Sequence, residues 1–242
     1  MTATLLAFDT ATEHLSVALE ARGQVLGFEG PGGAQASASL IPAILALLSK
    51  GGVSLHELDA IAFGRGPGAF TGLRTACSVA QGLAFGAGKP VLPIDTLLAV
   101  AEDARAGRPD DLRVWVAMDV RMNEVYAAQY AFTAGCWSVL DAPMLITPGA
   151  LNQRWQEQPP CMVAGSALAV FGAALATGSA QCVPGALPRA TAMLSLAQAL
   201  WQAGGALDAA CALPLYLRDK VALTTVERDA VRAAKEALEH AR

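Results

Sequence analysis

Charged and aromatic side chains are scarce in this chain of 242 residues. Charged residues make up 16% of the chain and aromatic residues 6%, whereas apolar residues make up 54%. The high apolar content excludes disorder for the body of the chain, because so many apolar side chains drive burial in a core. The formal net charge of −4 excludes a strongly basic surface that would bind a nucleic acid by itself.

Histidine and cysteine occur in patterns that exclude several kinds of site. The three histidines, His14, His56 and His240, have neither HxxxH nor HExxH spacing, so the sequence predicts no metal site. A GxSxG motif is absent, and no nucleophile with its base is evident. The five cysteines form no CxxC pair, which predicts free thiols in a reducing, cytoplasmic compartment.

Membrane and export signals are absent as well. No stretch of about 20 strongly apolar residues occurs, so we expect no membrane-spanning helix. The first residues carry no basic region of the kind that begins a signal peptide.

Strand and helix patterns alternate along the chain, which is typical of an α/β layer fold. The first half predicts strands and helices over residues 4–9, 16–20, 25–28, 35–49, 59–64, 71–85, 91–95 and 96–106. The second half is less regular, with predicted strands over 114–119, 124–132, 137–140, 144–147 and 162–164 and a helix over 191–203. We therefore expect an N-terminal lobe of residues 1–106, a C-terminal lobe of residues 107–217, and a charged tail of residues 218–242 with a helix over 225–240.

A glycine-rich loop over residues 64–74 (GRGPGAFTGLR) precedes one of the predicted helices. It is not a Walker loop, because Pro90 follows Gly88-Lys89 where serine or threonine is needed. Its backbone amides and the helix start, with Thr71 as the predicted N-cap, are suited to holding an anion. The alternative is a tight turn whose glycines permit positive φ. The spacing leaves both interpretations open.

Carboxylates follow three of the predicted strands. Asp9, next to Thr10, ends the first strand, and Asp95 and Asp119 end later ones. An aspartate in this position holds a metal–phosphate complex in some folds and caps a turn in others. The three carboxylates are placed where they would converge on one cleft, but strand ends of this kind are common in α/β proteins.

Two predicted helices lack charge altogether. Residues 30–49 and 75–88 contain no Asp, Glu, Lys or Arg. A helix on a solvated surface normally carries a charged stripe, so both helices are predicted to be covered on all sides. Small residues recur every four positions in the second helix, which permits close approach of another helix. The two helices are covered either by the rest of this domain or by another protein.

Four segments resemble the bacterial TsaB (YeaZ) family: residues 6–12 (LAFDTAT), 64–74, 119–126 (DVRMNEVY) and 214–218 (PLYLR). The resemblance extends in order from residue 4 to about residue 220. It implies an actin-like, Hsp70-like ATPase fold of two lobes, with mixed sheets flanked by helices. It also implies a subunit of the machinery that makes N6-threonylcarbamoyladenosine at position 37 of tRNAs reading ANN codons.

The resemblance further implies a division of labour. In that family the catalytic paralogue TsaD holds a metal in an HxxxH motif and transfers the threonylcarbamoyl group, TsaB binds and stabilises it, and the ATPase TsaE joins them. Thr96 and Val100 stand at the two histidine positions here, and neither side chain is a ligand for iron or zinc. Ala36 stands where relatives often carry a histidine before the first interface helix.

We therefore expect a non-catalytic scaffold subunit that forms a homodimer when isolated, contacts tRNA only within the complex and holds no cofactor of its own. ATP and magnesium would enter through its partners. The rival predictions are an ATP-binding phosphotransferase or hydrolase using Asp9, Thr10 and the glycine loop, and a peptidase.

The resemblance also assigns site residues. The predicted partner interface consists of Leu40, Ile41, Ile44, Leu45, Leu48, Phe70, Gly72, Leu73, Ala76, Val79, Ala80 and Leu83. The glycine loop near it is fixed by Arg65, Gly66, Pro67, Gly68, Thr71, Gly72 and Arg74. A structural polar cluster at the lobe hinge is expected from Asp119, Arg121 and Glu124. An Ala80→Glu change is predicted to bury an unpaired charge in the interface and to weaken association.

Overall fold

The computed structural model describes residues 2–106 and 110–218. The helix predicted over 225–240 and the lobe junction at 107–109 lie outside the described residues. Strands and helices alternate from the first half into the second. The strands are β1 (Leu5–Asp9), β2 (His14–Ala21), β3 (Gln24–Pro31), β4 (Ala60–Gly66), β5 (Val91–Asp95), β6 (Leu112–Asp119), β7 (Val125–Thr133), β8 (Cys136–Ile146), β9 (Met162–Ala164) and β10 (Gln181–Val183). The helices are α1 (Ala36–Gly51), α2 (Phe70–Ala87), α3 (Thr96–Arg105), α4 (Pro148–Glu157), α5 (Ala167–Phe171) and α6 (Ala190–Gln202).

The strands form two mixed sheets with the same topology. The first has the order β3-β2-β1-β4-β5, and the second β8-β7-β6-β9-β10 when read in the matching direction. In each sheet the first three strands in sequence pair antiparallel and the other two add in parallel. The predicted two-lobe α/β fold with mixed sheets flanked by helices is confirmed, and the two sheets repeat one strand order.

Alternating burial explains why α1 and α2 lie on one face of the first sheet. Leu6 and Phe8 of β1 point to that face and pack against Leu40 and Ile44 of α1 and Ala80 of α2. Leu5 and Ala7 point to the opposite face, because successive strand side chains alternate. That second face is covered by α6.

The helices cross the predicted boundary between the lobes. Helix α6 belongs to the second half of the chain, yet Met193 and Leu194 pack on the first sheet. Helix α3 precedes the boundary, yet Leu97 and Val100 pack against Val116 of the second sheet. A boundary between residues 106 and 107 therefore separates the two sheets, but a helix from each side of the boundary packs on the sheet of the other side.

One strand differs from its prediction in length. The strands expected over 137–140 and 144–147 form the single strand β8. Its pairing with β7 shifts register, since Gln129 lies opposite Asp141 while Ala127 lies opposite Met144. The resulting bulge accommodates Pro143. Proline has no backbone N–H to donate to a neighbouring strand, and an edge strand tolerates this at a bulge.

Candidate functional site

The carboxylate of Asp9 is sealed inside the first lobe. It is fully buried at the end of β1, where Oδ1 accepts a hydrogen bond from the backbone N–H of Ala11 at 2.6 Å and Oδ2 accepts one from Thr96 Oγ1 at 2.9 Å. Burial raises the pKa of Asp9 to about 6, and these two hydrogen bonds oppose the rise. A Cβ atom at Gly64 would lie 1.8 Å from Asp9 Oδ2, so the loop backbone closes over the carboxylate.

The glycines of the loop at residues 64–74 are required by contacts with the turn after β1. A Cβ atom at Gly72 would lie 1.8 Å from the backbone oxygen of Thr10, and Thr10 Oγ1 donates to Gly72 O at 2.7 Å. Gly68 fits against Ala11 in the same way, and the Ala69 N–H donates to Ala11 O at 2.8 Å. These contacts account for the glycines as close-packing positions without any ligand.

The first turn of α2 corrects the predicted cap. The N-cap residue is Ala69, whose side chain accepts no hydrogen bond, and Thr71 lies inside the helix. The Ala69 N–H donates to Ala11 O. This contact docks the loop on the β1 turn and fixes where the helix begins. The N-cap of α3 is Asp95, and the hydroxyl of Thr96 faces Asp9.

The three strand-end aspartates have separate partners. Asp95 accepts a hydrogen bond from Arg65 Nε at 2.5 Å, whereas Asp119 accepts one from the backbone N–H of Arg121 at 3.1 Å. Asp9 faces Thr96, so the three carboxylates do not share one ligand position. Within residues 2–106 and 110–218, no three His, Cys, Asp or Glu side chains are grouped so that they could hold a metal ion.

The predicted polar cluster forms a turn whose side chains pair outward. Arg121 Nη2 lies 3.2 Å from Glu13 Oε1 of the first lobe, and both side chains are exposed. Glu124 Oε2 lies 2.6 Å from Arg218 Nη2 near the end of the described chain. Arg121 and Glu124 therefore take part in two separate ion pairs at the junction of the lobes rather than in one polar cluster.

A cavity of about 580 Å³ lies between the lobes. Its N-terminal wall contains residues 11–14 and 68–70, and its C-terminal wall contains residues 118–121 and 186–188 together with Tyr126, Ser166 and Arg218. Asp9 and Thr10 do not line it, because Gly64 and Gly72 cover them from the loop side. The cleft thus lacks the strand-end aspartate that the ATP-binding alternative requires.

The exposed surface of α1 and α2 carries large apolar side chains, and its charged residues, Lys50 and Arg74, lie near the end of α1 and the start of α2. Ile41 is 44% exposed, Leu45 51% and Phe85 83%. Gly82 and Gly86 lie on the same side of α2, with open space where a Cβ atom would be. We call these five residues, which lie on the two adjacent helices, the docking face.

The structure divides the predicted interface residues into two groups. Those buried inside the first lobe, and so unavailable to a partner, are Leu40, Ile44, Leu48, Gly72, Leu73, Ala76 and Ala80. Those exposed or partly exposed are Ile41, Leu45, Phe70, Val79 and Leu83. The sequence pattern could not separate them, because apolar residues occur on both the buried and the exposed side of each helix. The Ala80→Glu change is a test of the core, since Ala80 is fully buried between α2 and the sheet.

Phe85, Gly82 and Gly86 are exposed on α2 but are not among the interface residues predicted from the sequence. Phe85 stands in the charge-free part of α2, after Arg74, and is the most exposed of the large apolar side chains in the described chain. The sequence signal for it is the absence of charge from residues 75–88, rather than the apolar spacing that marks the buried side of the helix.

The positions that resemblance assigns to metal-binding histidines are structural here. Thr96 and Val100 are both fully buried in α3. Val100 packs in the core of the second lobe, and Thr96 donates to Asp9.

All five cysteines are free thiols, as predicted. Among the described helices, none combines the length and hydropathy needed to cross a bilayer.

Comparison with known proteins agrees with the resemblance over most of the chain. Residues 33–224 match the family model described as TsaD, tRNA N6-adenosine threonylcarbamoyltransferase. The tRNA threonylcarbamoyladenosine biosynthesis protein TsaB of Haemophilus influenzae is 37% identical over 228 residues, covering 90% of this chain and 94% of that protein. The protein of the same name from Escherichia coli is 33% identical over 227 residues, covering 90% and 96%.

A solved structure, YeaZ from Pseudomonas aeruginosa, shares the fold with a TM-score of 0.81 and 37% sequence identity. It covers 89% of this chain and 100% of its own. The chain has two lobes with matching mixed sheets, its glycine loop packs on the β1 turn, and its similarity to the relatives extends over nearly their full length. This chain therefore belongs to the TsaB (YeaZ) family of tRNA threonylcarbamoyladenosine biosynthesis proteins.

Proposed function

We propose that this chain is a non-catalytic scaffold subunit that binds and stabilises the catalytic paralogue TsaD in the formation of N6-threonylcarbamoyladenosine at adenosine 37 of tRNAs reading ANN codons. The observation that carries the proposal is the docking face. Ile41, Leu45 and Phe85 expose large apolar side chains within residues 30–49 and 75–88, which contain no charged side chain that a partner would have to desolvate. Contiguous apolar patches of this kind mark protein interaction sites.

The energetics favour a helical partner. Complete burial of one Ile, Leu or Phe side chain contributes about 1.5–3 kcal/mol, so three anchors on one face are sufficient to dominate an interface. Gly82 and Gly86 leave the backbone of α2 accessible, which allows a partner helix to approach closely. A paralogue with the same fold would present a matching pair of helices.

The chemistry belongs to the partner in this proposal. Thr96 and Val100 are core residues where the catalytic paralogue requires two metal ligands, and neither side chain binds iron or zinc. Asp9 is closed off by Gly64, which removes the carboxylate that an ATP-dependent enzyme of this fold would use. ATP and magnesium would act through the partners, TsaD and the ATPase TsaE.

The remaining parts of the proposal follow from surface and charge. The net charge of −4 favours tRNA contact only through the assembled complex, in the cytoplasm. Without TsaD, the docking face would be covered by a second copy of the chain, because the same apolar surface is self-complementary in a two-fold dimer.

The experiment is co-purification with TsaD from the same organism, comparing Gly82→Glu with Gly149→Glu. Both glycines lie in helices with open space at the Cβ position, so neither change clashes with the chain itself. A glutamate at position 82 buries an unpaired charge at the interface, and we expect TsaD affinity to fall by at least about a hundredfold.

Gly149 in α4 lies on the other lobe, away from the docking face, and its variant should bind TsaD like the unchanged protein. Equal binding by both variants would contradict the proposal. Threonylcarbamoyl transfer by the purified chain alone would contradict the assignment of catalysis to TsaD.

A further inference from the structure

The last described residues, 213–218, have no regular secondary structure and run from the first lobe to the second. They follow a short 3₁₀ turn, Ala209–Cys211, in which Ala209 and the following Ala212 pack in the core beneath α2. From there the segment crosses the glycine loop and reaches the turn between β6 and β7. We call residues 213–218 the strap.

Contacts with the first lobe are made by the middle of the strap. The Leu215 N–H donates to Arg65 O at 2.7 Å. The loop fits closely beneath it, since a Cβ atom at Gly66 would lie 2.8 Å from the backbone oxygen of Leu215. The ring of Tyr216 stacks on Phe70, in the first turn of α2, with centroids 4.3 Å apart and planes within 9°.

Arg74 adds a second layer to this stack. Its guanidinium carbon lies 4.9 Å from the centroid of the Phe70 ring, and its Nε donates to the Tyr216 hydroxyl at 3.2 Å. Arg74 lies one turn after Phe70 on α2, so the strap is joined to two successive turns of that helix. The strap therefore contacts the first turns of α2, the helix that carries Gly82 and Phe85 of the docking face.

The other end of the strap is fixed to the second lobe by Arg218. Its Nη2 lies 2.6 Å from Glu124 Oε2, and its Nη1 donates to the backbone oxygen of Val120 at 3.4 Å. The pair is largely shielded from solvent, and charge-assisted hydrogen bonds in such surroundings are stronger than exposed ones. Arg218 thus bridges both sides of the β6–β7 turn.

That turn has an unusual backbone. Arg121, Met122 and Asn123 have φ values of 63°, 56° and 56°, the left-handed region that residues with side chains seldom adopt. Three such residues in succession persist only where their surroundings stabilise them. Arg218 supplies this support, and the turn in that conformation presents Arg121 to Glu13 across the cleft at 3.2 Å.

We propose that the strap is an interlobe clasp: it holds the cleft between the lobes closed and fixes the first turns of α2, with Tyr216 and Arg218 as its positioning residues. The clasp links the geometry of the cleft to the helix that carries half of the docking face. This inference concerns the conformation of the isolated chain and does not depend on which partner the docking face binds.

Amide hydrogen exchange of the full-length isolated protein tests the clasp, because loss of one end should loosen contacts at the other. In Arg218→Gln we expect exchange at Ala69 and Leu215, in and above the glycine loop, to accelerate by about tenfold or more. In Tyr216→Leu we expect the same acceleration at Val120 and Glu124, in the turn of the opposite lobe. Exchange within β1 should stay unchanged in both variants.

Arg154→Gln is the matched control. It removes an arginine that pairs with Asp141 at 3.1 Å on one lobe only, so its exchange pattern at residues 66–70 and 120–124 should equal that of the unchanged protein. Arg218→Lys keeps the charge and should restore part of the protection. If each clasp variant accelerates exchange only beside its own substitution, the two ends act independently and the proposal is wrong; this readout involves no TsaD.

Discussion

Thr96 Oγ1 donates a hydrogen bond of 2.9 Å to the buried carboxylate of Asp9, although the two residues are 87 positions apart. Asp9 ends β1 and Thr96 begins α3, the helix that packs against the second sheet. The bond therefore joins the first strand of one lobe to a helix covering the other. It uses the strand-end aspartate for structure, in a position where enzymes of this architecture would need it exposed.

The raised pKa of Asp9 predicts how stability depends on pH. Burial raises the pKa from 3.8 to about 6, so the folded chain holds this proton more tightly than the unfolded chain. The contribution of Asp9 to the free energy of unfolding is largest below pH 4, falls between about pH 4 and 6, and then levels off. The change is about 3 kcal/mol at most.

Chemical denaturation of Asp9→Asn between pH 4 and 8 measures this contribution. The neutral amide cannot ionise, and its oxygen can still accept from the Ala11 N–H, so the variant should gain stability relative to the unchanged chain between about pH 4 and 6 and show a constant difference above that range. Asp208→Asn is the matched control, because Asp208 also accepts from a backbone N–H two residues on but is exposed. A constant difference between Asp9→Asn and the unchanged chain across this range would contradict the prediction.

Two glycines of the same helix should respond to alanine in opposite directions. At Gly72 a methyl group would lie 1.8 Å from the backbone oxygen of Thr10, so Gly72→Ala should destabilise the chain by about 3 kcal/mol or more. At Gly86 the Cβ position is open, and alanine should stabilise the helix by about 0.5–1 kcal/mol. Urea unfolding at low protein concentration checks both; equal effects would show that the loop does not pack on the β1 turn as described.

Core and docking residues of the two helices should separate by phenotype. Ala80→Glu places a charge in the fully buried core and should prevent stable folding, whereas Leu45→Glu leaves a folded chain, because Leu45 is 51% exposed. Sedimentation equilibrium should show self-association of the unchanged chain and at least about tenfold weaker association of Leu45→Glu. A Leu45→Glu variant that dimerises normally would remove the docking face from the proposed homodimer.

Nucleotide should have little effect on the isolated chain. Asp9 is fully buried and does not line the cleft, so the carboxylate that the ATP-binding alternative uses does not face magnesium or ATP there. Addition of millimolar Mg-ATP should shift Tm by less than about 1 °C, because ligands stabilise only a state that binds them. A large, saturable shift together with ATP turnover would favour the phosphotransferase alternative.

Local signals were sufficient for most of the secondary structure. Thr147-Pro148 begins α4, with the Thr147 hydroxyl accepting from the Ala150 N–H, and Ser54 and Glu57 form a capping box. Such caps depend on residues within one turn of each other, so the sequence reveals them directly. The β8 bulge was not predictable in this way, since it arises from the register with β7.

The sequence by itself determined the α/β plan, the lack of charge in residues 30–49 and 75–88, and the absence of histidine pairs. These properties are local, or they concern composition, and they survive any arrangement of the elements. Only the tertiary structure decided which stripe of α1 and α2 is core, that Asp9 is sealed, and that residues 213–218 join the lobes. Those outcomes depend on close approaches between residues far apart in the chain, such as Gly64 over Asp9 and Tyr216 on Phe70, and no local pattern encodes them.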